Sequence, residues 1–135
     1  MKLEGNAAAL VEAASARAGE RKRFILALAG PPGVGKSTLS EALVAEFVRR
    51  GHGAAIVPMD GFHLDNAVLE AGGTLARKGA PFTFDTGGYA ALLHRLRTEP
   101  ERNIAIPVFD RALDLSRAAA RIITPDHRFL IAEGN

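Results

Sequence analysis

Apolar residues run unbroken from Phe24 to Ala29 and stop at Gly30. A short continuous run of this kind predicts a parallel strand buried on both faces. From Lys36 the spacing changes. Leu39, Leu43, Val44, Phe47 and Val48 fall on one helical face, with Glu41, Glu46 and Arg49 elsewhere, and Gly51 supplies a stop. Ala54 to Met59 predicts a second buried strand ending at Asp60. The unit strand, glycine-rich loop, helix, strand is a βαβ crossover, right-handed by the general rule.

The remaining segments are read the same way. Residues 6–18 are alanine-rich and predict a helix with Asn6 as N-cap and Gly19 as stop, followed by a solvated polar joint at Glu20–Arg23. Asp65 to Ala71 predicts a short helix broken at Gly72-Gly73, and residues 77–84 a loop. Tyr89, Leu92, Leu93 and Leu96 form a helix face with Asp85 or Thr86 near its cap. Ile104 to Phe109 is extended, with Pro107 pointing to an edge position. Residues 117–123 fit no single period, and Phe129 to Ala132 is a third strand candidate. The expected fold is α/β, a three-layer sandwich with a mainly parallel sheet. An N-terminal helix and joint occupy residues 1–22, and the main domain residues 23–135.

The totals narrow the function classes. The 135 residues suit one domain, 47% of them are apolar and 24% charged, and there is no cysteine. A disulfide framework, a thiolate metal site and a cysteine nucleophile are therefore excluded. The formal charge is +2, and thirteen of the seventeen basic residues are arginine, scattered from Arg17 to Arg128. With aromatics at 6% and no basic stripe, the pattern does not fit a nucleic-acid surface. Scattered arginines suit phosphate and carboxylate ligands, which the guanidinium fork binds in pairs. No run is long enough to span a bilayer, and the N-terminus lacks a secretory pattern, so a cytoplasmic protein with no membrane partner is expected.

The decisive motif is Gly30-Pro31-Pro32-Gly33-Val34-Gly35-Lys36-Ser37, a full match to G-x-x-x-x-G-K-S/T, with Thr38 behind it. Glycines let successive backbone N–H groups turn inward as an anion nest, and the following helix aims its positive end at the same oxygens. Lys36 is expected on the β- and γ-phosphates and the Ser37 hydroxyl on Mg²⁺. Asp60, at the carboxyl end of a neighbouring strand, faces the crevice where ligands bind in such sheets. There it serves as proton acceptor for a substrate hydroxyl, as an acid on the Mg²⁺ side, or as a helix cap; spacing does not choose among them.

In order along the chain, Gly30–Ser37, Asp60-Gly61-Phe62-His63, Pro107-Val108-Phe109-Asp110-Arg111 with Arg117 behind it, and Ile131-Ala132-Glu133-Gly134 resemble the phosphoribulokinase / uridine kinase / bacterial pantothenate kinase family. The chain is more closely similar to the bacterial branch labelled fructose-transport-system kinase or uridine kinase-like. That resemblance implies an ATP- and Mg²⁺-dependent kinase acting on a small alcohol, a sugar favoured, a nucleoside or pantothenate-like alcohol following. It implies Asp60 as catalytic base, Glu133 as the residue holding Mg²⁺ through water, and Arg117 on substrate or transferred phosphate. It also implies Asp85 beside the acceptor's hydroxyls. His63 is read either as a substrate hydrogen-bond partner or as a local cap, and a homodimer is compatible with everything above.

Members of this family continue beyond the third strand with further strands, a lid helix and an adenine-packing segment, and the chain ends at Asn135. The sheet is therefore expected to be incomplete on one side. The 135 residues alone are expected to bind nucleotide weakly and to transfer phosphate poorly, since a lid positions reactants and excludes water. Two other readings compete. A P-loop hydrolase or switch would use water as acceptor, although no guanine-selecting N-K-x-D motif is present. A non-catalytic nucleotide-binding module is the third.

Overall fold

A computed structural model describes residues 3–30 and 35–134, the side chains of residues 3–5 excepted. Among the described residues nine helices and strands follow in order: α1 (Leu3–Ala18), β1 (Phe24–Ala29), α2 (Lys36–Arg49), β2 (Ala54–Pro58), α3 (Asn66–Ala71), α4 (Thr86–Thr98), β3 (Ile104–Asp110), β4 (Leu115–Ile123) and β5 (Phe129–Gly134), with a 3₁₀ turn at Met59–Phe62 between β2 and α3. Strands β1, β5 and β2 form a parallel sheet in that order, so the last strand in sequence is central. Strands β3 and β4 make a separate antiparallel hairpin whose register breaks between Ile106 and Val108, around Pro107. Proline has no N–H to donate to the ladder, which is why the irregularity falls there.

Alternation along β5 divides the core in two. Phe129 and Ile131 meet α1 and α2 through Ala7, Val11, Ala14, Ala18, Leu43 and Phe47. Leu130 and Ala132 face the other layer, where Tyr89 and Leu96 of α4 join Val57, Ile104, Ile106 and Ile123. Phe47 stacks on Phe129 with ring centroids 4.3 Å apart. The result is the expected α/β three-layer arrangement, with α1 and α2 on one face and α4 with the hairpin on the other.

Several local expectations change. Helix α1 begins at Leu3, so Asn6 lies inside it rather than capping it. Strand β1 has the predicted bounds, but its residues are only half-buried or exposed, because β5 is its single neighbour among the described residues. Val48 sits 57% exposed, outside the face that Leu43 and Phe47 bury. The polar joint is not wholly solvated. Arg23 is buried, donating to the carbonyls of Leu96 (3.0 Å), Thr124 (2.7 Å) and His127 (3.0 Å). One planar fork thus ties the start of β1 to the end of α4 and the β4–β5 turn.

Candidate active site

Parallel pairing brings the motif residues together. In β5, Glu133 is in register with Leu28 of β1 and Pro58 of β2. The carboxyl end of the central strand therefore lies between the glycine-rich loop that follows β1 and Asp60, two residues beyond Pro58. The Gly30 N–H donates to the Gly134 carbonyl at 3.2 Å, fastening the start of the loop to β5. Gly35 enters α2 with φ +85°, in the left-handed region that a side chain disfavours. Pro31, Pro32, Gly33 and Val34 lie outside the described residues.

A cavity of about 470 Å³ opens above these strand ends. Lys36, Ser37, Thr38, Asp60, His63 and Glu133 all line it. The Ser37 hydroxyl donates to Glu133 Oε1 at 3.1 Å, so two oxygen ligands from α2 and β5 already converge. Hydroxyl and carboxylate are hard donors of the kind Mg²⁺ takes, completed by phosphate oxygens and water. The pair fits that ion; among the described residues there is no cluster of three or more His, Cys, Asp or Glu for an all-protein cage.

Asp60 belongs to the Met59–Phe62 turn, and its carboxylate has no hydrogen-bond partner among the described residues. His63 closes that turn. Its Nδ1 lies 2.8 Å from the Asp60 carbonyl oxygen, and its ring packs 4.1 Å from Phe84 and 4.6 Å from Phe109. His63 therefore caps the turn, as the second of its two readings expected, and lines the cavity. Beneath the site the Tyr89 hydroxyl donates to the Val57 carbonyl at 2.6 Å. Burial, then the nearby Glu133 charge, raise its pKa, so Tyr89 stays a neutral strut for β2.

Two predicted residues stand apart from the cavity. Asp85 is the N-cap of α4, its Oδ1 accepting from the Gly88 N–H at 2.9 Å. Arg117, on β4, lies 3.8 Å from Asp110 on β3. Arg111 lines the cavity instead, from the turn after β3. The sequence singled it out only as part of the Pro107–Arg111 stretch, because only hairpin geometry shows which way that turn faces. Lys78, in the segment expected to be a loop, is held by Asn66 Oδ1 (2.7 Å) and Asp114 Oδ1 (3.0 Å).

Comparisons with known proteins agree with this arrangement. A protein of Schizosaccharomyces pombe named "Putative uridine kinase C227.14" is 34% identical over 122 residues, 85% of this chain and 52% of its own length. A pantothenate kinase of Coxiella burnetii (strain Dugway 5J108-111) is 35% identical over 115 residues, 82% of this chain and 35% of its own. The crystal structure of a "putative fructose transport system kinase" from Silicibacter sp. TM1040 is 46% identical with a TM-score of 0.88, covering 100% of this chain and 64% of that one. The chain belongs to the P-loop kinases of the phosphoribulokinase, uridine kinase and bacterial pantothenate kinase family. A further family model, described as "Methylmalonyl Co-A mutase-associated GTPase MeaB", matches residues 2–73, just over half of the chain. That match also places the chain with the P-loop NTPases, and its span ends before α4, the hairpin and β5. The chain spans about half the length of the first of these curated kinase relatives.

Proposed function

We propose that the complete protein is an ATP- and Mg²⁺-dependent kinase that transfers the γ-phosphoryl group to a hydroxyl of a small metabolite, with a sugar, a nucleoside or a pantothenate-like alcohol as acceptor. The observation that carries this reading is one cavity holding Lys36, Ser37 and Glu133 beside the carboxylate of Asp60, which has no hydrogen-bond partner among the described residues. Lys36 and the N–H groups at the start of α2 hold the phosphates. Ser37 and Glu133 hold the metal, which when bound neutralises charge on the β- and γ-oxygens. Asp60 accepts the acceptor's hydroxyl proton as that oxygen bonds to the γ-phosphorus and the bond to the bridging oxygen of ADP breaks. His63 positions the Asp60 turn and offers its other ring nitrogen to the substrate. Asp85 and Arg117 act from the rim, through the α4 cap and through Asp110.

The setting we propose is the cytoplasm, with a small molecule rather than nucleic acid or membrane as partner. It is supported by the scattered basic residues and by the lack, among the described residues, of a helix long and apolar enough to cross a membrane. The test is ADP release by the complete protein with ATP and Mg²⁺, across sugars, nucleosides and pantothenate, with Asp60→Asn alongside. Release should need one alcohol and fall roughly 10²- to 10⁴-fold in Asp60→Asn. The GTPase family match favours one second reading, hydrolysis with water as acceptor. Release indifferent to every alcohol and unchanged by Asp60→Asn would support it and remove the kinase.

A further inference from the structure

Resting on the kinase reading, we propose that Arg111 binds an anionic group of the acceptor, so that the substrate is an alcohol bearing a carboxylate or a phosphate rather than a neutral sugar. A second cavity, of about 180 Å³, adjoins the first, and Asp60, Glu133 and Arg111 line both. Arg121 lines the smaller one as well, as does Glu41. The other cations near this region are engaged. Lys78 is held by Asn66 and Asp114, Arg117 faces Asp110, Arg121 donates to the Ile56 carbonyl at 2.7 Å, and Arg77 lies over the Phe82 ring. Arg111 makes no hydrogen bond or ion pair among the described residues.

Its carrier decides which ligand it meets. The hairpin is seated on the Asp60 turn, with Ser116 Oγ donating to the Gly61 carbonyl, and its tip is tied by Asp114 to Lys78. Arg111 thus travels with the acceptor-side turn rather than with the phosphate loop or α2. Glu133 is already paired with Ser37, and Asp60 must meet a neutral hydroxyl to accept its proton. Glu41 lines the smaller cavity too, but no carboxylate forms an ion pair with the guanidinium among the described residues. A substrate anion supplies the counter-charge through a planar two-point contact. The smaller cavity accommodates the anionic end, while the hydroxyl reaches Asp60 at the shared wall.

The experiment has two arms on the complete protein. The first is calorimetric binding of paired alcohols that differ only in the anion, glycerate against glycerol, pantothenate against panthenol and fructose 6-phosphate against fructose, with the nucleotide site filled by a non-hydrolysable ATP analogue and Mg²⁺. The second is ADP release with the same pairs. One anionic member should bind at least ten-fold more tightly than its neutral partner. Arg111→Gln should abolish that preference and raise KM ten- to hundred-fold with kcat within about two-fold, while Arg111→Lys restores part of it. Which pair responds separates carboxylate from phosphate. Neutral members binding as well as anionic ones would overturn the proposal, as would an Arg111→Gln effect confined to kcat, which would assign the residue to the transferred phosphate. Anion binding lost in Arg111→Gln without any alcohol-dependent ADP release would keep this site and sink the kinase reading.

Discussion

Gly61 sits directly behind the proposed base, and replacing it with alanine tests how the hairpin positions Asp60. A Cβ at this position would lie 2.6 Å from the Pro107 carbonyl oxygen, 2.9 Å from its carbon and 3.2 Å from the Pro107 ring. Carbon atoms approach favourably at about 3.5–4.0 Å, so the carbonyl carbon is roughly 0.6–1 Å too close. Backbone lies on both sides of the clash, and no flexible side-chain end can swing away. The hairpin or the Asp60 turn must shift, at about 1–3 kcal/mol. For a domain of this size that predicts a Tm roughly 3–11 °C lower in Gly61→Ala by scanning calorimetry. A displacement near 1 Å at a reacting group lowers kcat/KM by roughly 10²-fold. Unchanged Tm and unchanged kcat/KM would refute the seat. A lower Tm with full activity would show that the hairpin stabilises the turn without positioning its carboxylate.

Arg23→Met removes the donor to three carbonyls at a buried site. It should lower stability in urea by roughly 3–5 kcal/mol, and Arg23→Lys should recover less than half, since one ammonium cannot reach all three. A loss below about 1 kcal/mol would mean that water replaces the guanidinium. His127 accepts the Thr124 N–H on Nδ1, and burial first, then the Arg23 charge, lower its pKa from the ordinary 6.5. Between the folded and unfolded values the unfolded chain binds more protons, so stability should fall as pH drops below about 6.5. The urea midpoint measured from pH 7.5 to 5.5 should show that decline in the parent and a flatter profile in His127→Gln.

Local spacing was enough to predict β1, α2, β2 and most of β5, because each is a sustained apolar pattern bounded by glycine or a charged residue. The glycine-rich signature is also local, since adjacent residues carry it, and residues 31–34 of it lie outside the described residues. The alanine-rich N-terminal segment also read correctly as a helix, though not its start, since helix ends depend on contacts as much as caps. Residues 115–123 were unreadable as a strand. Eight of the nine are half-buried or exposed through the hairpin's outer face, and only Ile123 is fully buried. Without an alternating apolar face, pairing with β3 rather than local pattern makes that segment extended.

Sequence by itself therefore determined the strand–loop–helix–strand unit and singled out Lys36, Ser37, Asp60 and Glu133 as candidate site residues. Tertiary structure decided which of them meet. Placing β5 between β1 and β2 brings Glu133 to Ser37, 96 positions away in sequence. Folding the hairpin onto the Asp60 turn sends Arg111 into the cavity and leaves Arg117 against Asp110. It also buries Arg23, whose three acceptors come from segments more than seventy residues distant. No local pattern encodes these pairings, because strand order and hairpin seating are settled by burial of whole faces, which sums over residues far apart in the chain.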